Sequence, residues 1–284
     1  IILRIVDTLP SFTIPGVCHL KWIDMVNEQA KGELVIKYLG GPEVIADKDV
    51  AISVGKGVLE MGSVYSGIYA GLVQGAEAFT QSMISPPEER KRGAYDLLQP
   101  EYAKANLYLL GRICGSTSGK FYYIATTTKK VEKISDLRGL KITSFTPGWI
   151  HFLLEVGAAG PIIGPPDIYT ALERGVADGA WLPLFYHVTF VLDLNKYLID
   201  HGFGADNFTQ FVNLDVWNKL PKHLQDLLIK TIDDIAPMLE PGYEVQEAKD
   251  RQAMLAKGWV FVKFSPEEAE KYVNLSFDAE WEDI

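Results

Sequence analysis

Short apolar runs rich in β-branched residues alternate with segments of helical spacing along the first quarter of the chain. Runs of this kind, bounded by Gly and Pro, predict strands, whereas apolar residues three and four positions apart predict helices. The resulting order of elements is β-α-β-α-β, which favours a parallel sheet with helices on its faces. The predicted strands are Leu3–Val6, 32–40 and 59–67, and the predicted helices are Pro15–Gln29, with Val17, Leu20, Ile23 and Val26 facing inward, and Asp47–Gly57.

The same alternation continues to the end of the chain. Two stretches, GVLEMGSVYSG and VADGAWLPL, each place a strand and an open loop after a helix that ends in Gly, which predicts two similar α/β lobes. The late helical pattern at 221–257 contains Pro237 and Pro241, which are expected to kink or break it. Ser265, with Glu268 three residues later, predicts a capping box at the start of the last helix. Further strands are predicted within 105–115, 120–129, 140–144, 160–166, 176–184, 206–220 and 258–264, and further helices at 95–105, 149–156 and 167–175.

Composition limits the class of protein. The chain has 284 residues, of which 48% are apolar and 23% charged, so one large domain or two ordinary ones with ample core are expected. A net charge of -10 lacks the basic footprint of a nucleic-acid-binding protein, and no apolar run reaches the ~18 residues that span a bilayer. The start at Ile1 suggests a processed mature protein from which a signal peptide has been removed. Cys18 and Cys114 are predicted to be buried thiols, and a disulfide between them stays open.

The sequence carries no motif for catalysis, a metal or a cofactor. It has no G-x-x-x-x-G-K-[ST], no G-x-G-x-x-G after a strand, no H-E-x-x-H and no C-x-x-C, and its five histidines lack metal-ligand spacing. GSTSG at 115–119 matches G-x-S-x-G only superficially, since Thr117 stands at its centre. We therefore expect a protein that is not an enzyme and that holds no metal or cofactor.

Four segments together resemble one family, the DctP-like solute-binding proteins of TRAP (tripartite ATP-independent periplasmic) transporters. They are YSGIYAGLVQGA (65–76), SDLRGLKI (135–142), DIYTALERGVADGAW (167–181) and VNLDVWNKLP (212–221), and the similarity covers nearly the whole chain. The resemblance implies a two-lobed periplasmic-binding-protein-like α/β fold, each lobe a mixed, mostly parallel sheet flanked by helices, with a long kinked helix spanning both lobes. Lobe I is expected to contain 1–120 and 207–245, and lobe II 121–206 and 246–284, with the ligand cleft between them.

The resemblance also implies a function. Members of the family capture a small organic solute by hinge closure and deliver it to the membrane subunits of the transporter, and the ligand contributes differential contacts to the closed state. By this resemblance the chain is expected to be an exported bacterial protein of the periplasm and a monomer, with no nucleic-acid partner. A ligand-sensing module for a signalling partner is the alternative.

The position that usually binds a carboxylate differs in this chain. In the family, GLKI is typically followed by an arginine whose guanidinium pairs with both oxygens of a substrate carboxylate, but Thr143 stands there. A second arginine on the preceding strand is replaced by Tyr123, and Ala180 stands where members that hold a cation use an acid. We expect rings and hydroxyls to line the ligand site instead. The predicted ligand-binding residues are Pro10, Phe12, Tyr65, Tyr123, Thr143, Phe145, Trp149, Trp181, Phe185 and Phe208.

Three ligand classes fit such a site. An aromatic or apolar molecule would stack between rings, and an amine would be held by cation–π contacts. An organic acid would need several donors, because an unpaired buried carboxylate is costly. The candidate donors are Thr143, Ser144, backbone amides, Lys120 and Arg112. Trp149 also fits a core position, in which case it packs beneath its own helix.

Overall fold

A computed structural model describes residues 1–8, 13–113, 119–145, 150–205 and 207–281. The chain divides into two compact units. Unit 1 comprises Ile1–Thr117 and Asp206–Tyr243, and unit 2 comprises Ser118–Ala205 and Glu244–Ile284. Each unit is built around one five-stranded sheet flanked by helices.

The described residues form ten strands and ten α-helices. The strands are β1 (Ile2–Asp7), β2 (Val35–Gly40), β3 (Met61–Tyr65), β4 (Leu107–Arg112), β5 (Tyr122–Thr126), β6 (Ile142–Thr143), β7 (Gly179–Pro183), β8 (Tyr197–Ile199), β9 (Phe208–Asn213) and β10 (Val260–Val262). The helices are α1 (Ile14–Gln29), α2 (Asp47–Gly55), α3 (Pro86–Lys91), α4 (Ala94–Lys104), α5 (Ile150–Glu155), α6 (Pro165–Glu173), α7 (Leu184–Phe190), α8 (Leu214–Lys219), α9 (Lys222–Ala256) and α10 (Pro266–Trp281). The strand predicted within 160–166 is reduced to one bridge, between Ser144 and Ile162.

The two sheets share one design. In unit 1 the strand order is β2-β1-β3-β9-β4, and β9 alone runs against its neighbours. In unit 2 the order is β10-β8-β5-β7-β6, and β5 is the reversed strand. Each reversed strand is the first strand of its unit after the chain has crossed from the other unit. The prediction of mixed, mostly parallel sheets is therefore confirmed, and the parallel strands of each sheet end at one edge.

The buried side of helix α1 differs in part from the side that the sequence pattern predicts. Its buried side is formed by Cys18, Trp22 and Val26, and Cys18 is a free thiol. Of the positions expected to face inward, Val17 is 38% exposed, so this expectation is wrong, and Leu20 is only partly buried. The reason is geometric, because a step of four residues comes closer to a full turn of about 3.6 residues than a repeated step of three does.

Helix α9 is 35 residues long and supplies residues to both units. The sequence predicts that its two prolines, Pro237 and Pro241, kink or break the helix. The helix continues through both prolines, so they do not break it. Burial of Leu228 and Ile232 in unit 1 and of Met254 in unit 2 fixes the helix on either side of the prolines. This packing compensates for the backbone donors that proline lacks. Among the described helices, none has both the length and the apolar character of a membrane span.

Candidate functional site

Unit 1 brings two predicted site residues together where β3 ends. In the register of the antiparallel pair, Tyr65 lies opposite Phe208, the first residue of β9. Their rings meet edge to face with centroids 5.7 Å apart, an arrangement that aromatic pairs prefer. This edge of the sheet is the one at which its parallel strands end, and ligands of α/β proteins bind at the carboxyl ends of such strands.

Two polar residues beside this ring pair, Ser66 and Asn207, carry no signal in the sequence. Both are completely buried, and the backbone N–H of Ser66 donates to Oδ1 of Asn207 at 3.2 Å. The Nδ2 of Asn207 and the hydroxyl of Ser66 have no hydrogen-bond partner among the described residues. Leaving a buried polar group unpaired costs about 1–3 kcal/mol, so both groups are suited to form a hydrogen bond with a bound molecule.

A third polar group of this kind lies at the end of the neighbouring strand β1. Thr8 is buried, its N–H donates to the carbonyl of Ser63 on β3 (3.1 Å), and its hydroxyl has no partner in the described part of the chain. We call Thr8, Ser66 and Asn207 the polar edge of unit 1, since they follow or precede three adjacent strands, β1, β3 and β9. Next to Thr8, the carboxylate of Asp7 is held against the imidazole of His19 inside the unit.

Unit 2 gathers a group of aromatic rings at the end of β7. Trp181 stacks on Tyr122, with ring centroids 4.1 Å apart, and lies nearly parallel to Phe145 at 6.4 Å. Phe185 joins the group through Phe121, whose ring centroid lies 6.0 Å away. Trp181 is completely buried, whereas Phe145 and Phe185 keep part of their surface exposed. Of the predicted residues in this group, Phe145 and Phe185 are therefore the two that solvent can reach.

Thr143, the residue at the usual arginine position, directs its hydroxyl into unit 2. The hydroxyl donates to the carbonyl of Pro161 at 2.8 Å, and the side chain is completely buried. Thr143 pairs with Ala180 on β7, so the pleat places its side chain on the opposite face of the sheet from Trp181. The hydroxyl has one hydrogen to donate, and it is used within the unit.

Tyr123 lies on the opposite face of β5 from Tyr122, away from the stacked rings. Its hydroxyl donates to Glu247 and accepts from Arg251, both at 3.3 Å, and the Arg251 guanidinium lies 5.4 Å from the centre of its ring. Arg251 is also paired with Asp200 at 2.7 Å. Burial, followed by the nearby carboxylate of Glu247, raises the pKa of Tyr123 above its ordinary value. Tyr122, one residue earlier, makes the ring contact with Trp181.

One of the two cations considered for a ligand carboxylate is held inside unit 1. Arg112 is completely buried, and its guanidinium contacts Glu89 at 2.7 Å and donates to the carbonyl of Ile84 at 2.8 Å. The other cation, Lys120, is an exposed residue. The charge of Arg112 is therefore met by a buried carboxylate of its own unit.

Some predicted residues lie outside the described part of the chain, namely Pro10, Phe12, Trp149 and Cys114. Their roles stay predictions. Within the described part, no group of three or more His, Cys, Asp and Glu side chains is arranged to hold a metal ion. The described site residues offer aromatic rings in unit 2 and neutral hydrogen-bonding groups in unit 1.

Comparison with known proteins gives one family. The model of the bacterial extracellular solute-binding proteins, family 7 (DctP), matches residues 10–278. Among curated proteins, the monocarboxylate 2-oxoacid-binding periplasmic protein of Nostoc sp. (strain PCC 7120) is 26% identical over an alignment of 265 positions that covers 89% of this chain and 71% of that protein.

Solved structures of TRAP periplasmic solute-binding proteins share the fold over nearly the full chain. The protein from Desulfovibrio salexigens with bound orotic acid gives a TM-score of 0.85 at 17% identity, covering 99% of this chain and 92% of its own. The protein from Pseudomonas aeruginosa PAO1 with bound L-malate gives 0.82 at 16% identity, covering 100% of both chains. The protein from Rhodoferax ferrireducens with bound malonate gives 0.82 at 18% identity, covering 99% of this chain and 92% of its own. The predicted fold class is confirmed by these likenesses.

Proposed function

Because the chain belongs to family 7 of the bacterial extracellular solute-binding proteins, which serve TRAP transporters, we propose that it binds a small organic acid and delivers it to the membrane subunits of such a transporter. The family match over residues 10–278 is the observation that carries this proposal. The chain is a solute-binding protein for transport and not an enzyme, as the sequence predicts.

The ligands of the relatives support an acid. The Nostoc protein is named for monocarboxylate 2-oxoacids, and the three solved structures hold orotic acid, L-malate and malonate. All of these carry a carboxylate, although they differ in size and in the number of charges. Among them, 2-oxo monocarboxylates are the first class to test, because the Nostoc protein is the relative with the highest identity of these four.

The rings of unit 2 suit the part of the ligand that carries no charge. Phe145 and Phe185 are partly exposed residues beside a stacked and buried core of aromatic side chains. An apolar or ring substituent packed on such a face gains about 0.5–1.5 kcal/mol beyond the burial of its area. A ligand with a short apolar or aromatic body would therefore gain more from these rings than a highly hydroxylated one would.

Two other ligand classes remain as alternatives to the acid. A neutral aromatic molecule would use the same rings of unit 2 and would leave the donors of the polar edge without a charged acceptor. An amine would need a ring face for a cation–π contact, and the protein's net charge of -10 would attract its positive charge. The unpaired Nδ2 of Asn207 favours the acid over the amine, since this group can only donate and an ammonium group accepts nothing.

Native mass spectrometry of the protein purified from rich medium tests the proposal. We expect one small molecule per chain with the exact mass of a carboxylic acid, released when the protein is unfolded. A bound amine or neutral aromatic molecule in its place would overturn the proposal. The hinge closure implied by the family and the monomeric state stay predictions, and small-angle scattering with and without saturating ligand tests both.

A further inference from the structure

We propose that the polar edge of unit 1, formed by Thr8, Ser66 and Asn207, is the subsite that receives an oxygen-rich group of the ligand, its carboxylate or the keto oxygen beside it. This inference rests on the proposed function and deepens it, because it names neutral donors as the anchor of the acid. It assigns ligand contacts to three residues that the sequence pattern does not single out.

The arrangement of the three side chains carries the inference. They lie at the ends of β1, β3 and β9, which are neighbours in the sheet, at the edge where the parallel strands finish. Each is at least nine-tenths buried, and each has a polar atom without a hydrogen-bond partner among the described residues. Three adjacent strands therefore each carry an unpaired polar group at the same edge of the sheet, which an isolated packing defect does not explain.

The hydrogen bond between Ser66 and Asn207 fixes the chemistry of the site. The backbone N–H of Ser66 occupies Oδ1 of Asn207, so the amide must present its Nδ2 as the remaining group. Nδ2 carries two hydrogens, and the hydroxyls of Thr8 and Ser66 carry one each. These groups can donate four hydrogens to a ligand oxygen with several lone pairs, and a carboxylate is the common organic group that offers such oxygens.

Two of the groups that were expected to meet an acid, Thr143 and Arg112, are engaged within their own units. Thr143 donates its hydroxyl hydrogen to Pro161, and Arg112 is paired with Glu89. The carboxylate of Asp7, adjacent to Thr8, is held against the imidazole of His19 within the unit. Buried neutral donors bind an anion more strongly than the same donors in water, because the surroundings of low polarity screen them less.

Substitution of Ser66 separates a ligand contact from a structural role. In Ser66→Ala, the hydroxyl that is lost has no partner within the described protein, so the ligand-free protein should unfold at the same temperature or higher. The affinity for the acid should fall about 3- to 10-fold, as expected for one lost hydrogen bond. The matched control is Ser276→Ala, since Ser276 is equally buried but donates to the carbonyl of Val273 in α10 (2.7 Å). The control should lower the unfolding temperature and leave the affinity unchanged.

Asn207→Asp tests the sign of the charge that the site accepts. The aspartate keeps an acceptor for the N–H of Ser66 but replaces two donors with a negative charge, so the affinity for an acid should fall roughly 10- to 100-fold or more. The control is Asn195→Asp, a buried asparagine of unit 2 whose Nδ2 faces Nδ1 of His187 at 3.4 Å. It should alter stability without altering affinity.

Calorimetric titration of all four variants with pyruvate and L-malate gives the result. If the unmodified protein binds either acid and both Ser66→Ala and Asn207→Asp weaken it as stated, the subsite is supported. If the unmodified protein binds an acid and both variants bind it equally well, the subsite is overturned while the proposed function stands. If the unmodified protein binds neither these two acids nor malonate or orotate, the proposed function is overturned and this inference with it.

Discussion

Arg112 and Glu89 form a buried ion pair in unit 1, in which two guanidinium nitrogens meet both carboxylate oxygens at 2.7 and 3.2 Å. The hydroxyl of Tyr95 donates to the same carboxylate at 2.8 Å. The pair lies at the end of β4, where an arginine would otherwise be well placed to attract an anion. Because Arg112 is buried and paired with Glu89, its guanidinium does not take the place of the arginine that usually binds a ligand carboxylate in the family.

Removing one partner of this pair should be strongly destabilising. In Glu89→Gln, the guanidinium of Arg112 stays buried without a countercharge, and breaking a buried pair in this way costs about 3–5 kcal/mol. Urea unfolding measures the loss. The control is Glu101→Gln, which removes the carboxylate of an exposed pair with Lys104 (2.6 Å) and should cost no more than about 1 kcal/mol. Equal losses in the two variants would contradict the role given to the buried pair.

Asp47 at the start of α2 should weaken the fold at neutral pH. Burial, followed by the nearby carboxylate of Asp7, raises the pKa of Asp47 from 3.8 to about 6. Between these values the folded protein holds a proton that the unfolded chain has lost, so this group's contribution to stability falls as the pH rises through that window. Asp47→Asn should therefore raise the free energy of unfolding at pH 7.5 by about 1–2 kcal/mol, allowing for partial exposure.

The control for Asp47→Asn is a substitution in the same helical turn. Asp49 is exposed, and Asp49→Asn should change the free energy of unfolding by no more than about 0.5 kcal/mol. The gain from Asp47→Asn should also shrink when unfolding is repeated near pH 4, where the folded carboxyl is already protonated. A gain that is the same at both pH values would show that it does not come from the carboxyl charge.

His187 should stay neutral well into the acidic range. Burial lowers its pKa from 6.5 to about 4, although its ring hydrogen bonds to the carbonyl of Tyr123 (3.0 Å) partly oppose the shift. Between these values the unfolded chain binds a proton and the folded one does not, so stability falls as the pH drops, by about 1.4 kcal/mol per pH unit for this group. Titration of the imidazole by NMR should give a midpoint near 4, and a midpoint at or above 6.5 would contradict the buried environment.

Gly160 should not tolerate a side chain. A Cβ at this position would lie 1.9 Å from the carbonyl oxygen of Ile142, which is backbone of β6 and cannot move aside without shifting Thr143. Gly160→Ala should therefore lower the free energy of unfolding by at least about 2 kcal/mol. Gly242→Ala is the control with the opposite sign, because Gly242 lies in α9 with open space around it and alanine favours a helix by about 0.5–1 kcal/mol. Thermal unfolding of both variants compares them.

The order of strands and helices could be predicted from local pattern, but details that depend on partners could not. Ser265 accepts the N–H of Glu268 at 3.3 Å as predicted, yet the Glu268 carboxylate accepts the N–H of Ile134 at 2.7 Å, a residue distant in sequence. Likewise, alternation along β5 shows that Tyr122 and Tyr123 face opposite ways. Only the pairing with β7 decides which of them meets Trp181.

The candidate site shows the same difference between residues that local sequence pattern reveals and residues that only tertiary contacts reveal. Family resemblance and residue type were enough to single out Tyr65 and Phe208, because aromatic residues at strand ends stand out in a sequence. Ser66 and Asn207 are short polar residues at the ends of apolar segments, where such residues are ordinary. They lie 141 positions apart, and only the antiparallel pairing of β3 with β9 brings them into contact.

The central claim is that the protein binds a small organic acid. Calorimetry of ligand-free protein with matched pairs tests it most directly, each pair being an acid (pyruvate, L-malate, malonate or orotate) and its uncharged amide. We predict binding of at least one acid at one molecule per chain, at least about tenfold tighter than its amide, a difference of about 1.4 kcal/mol. Binding of the amides as tightly as the acids, or binding of amines such as choline in place of every acid, would contradict the claim.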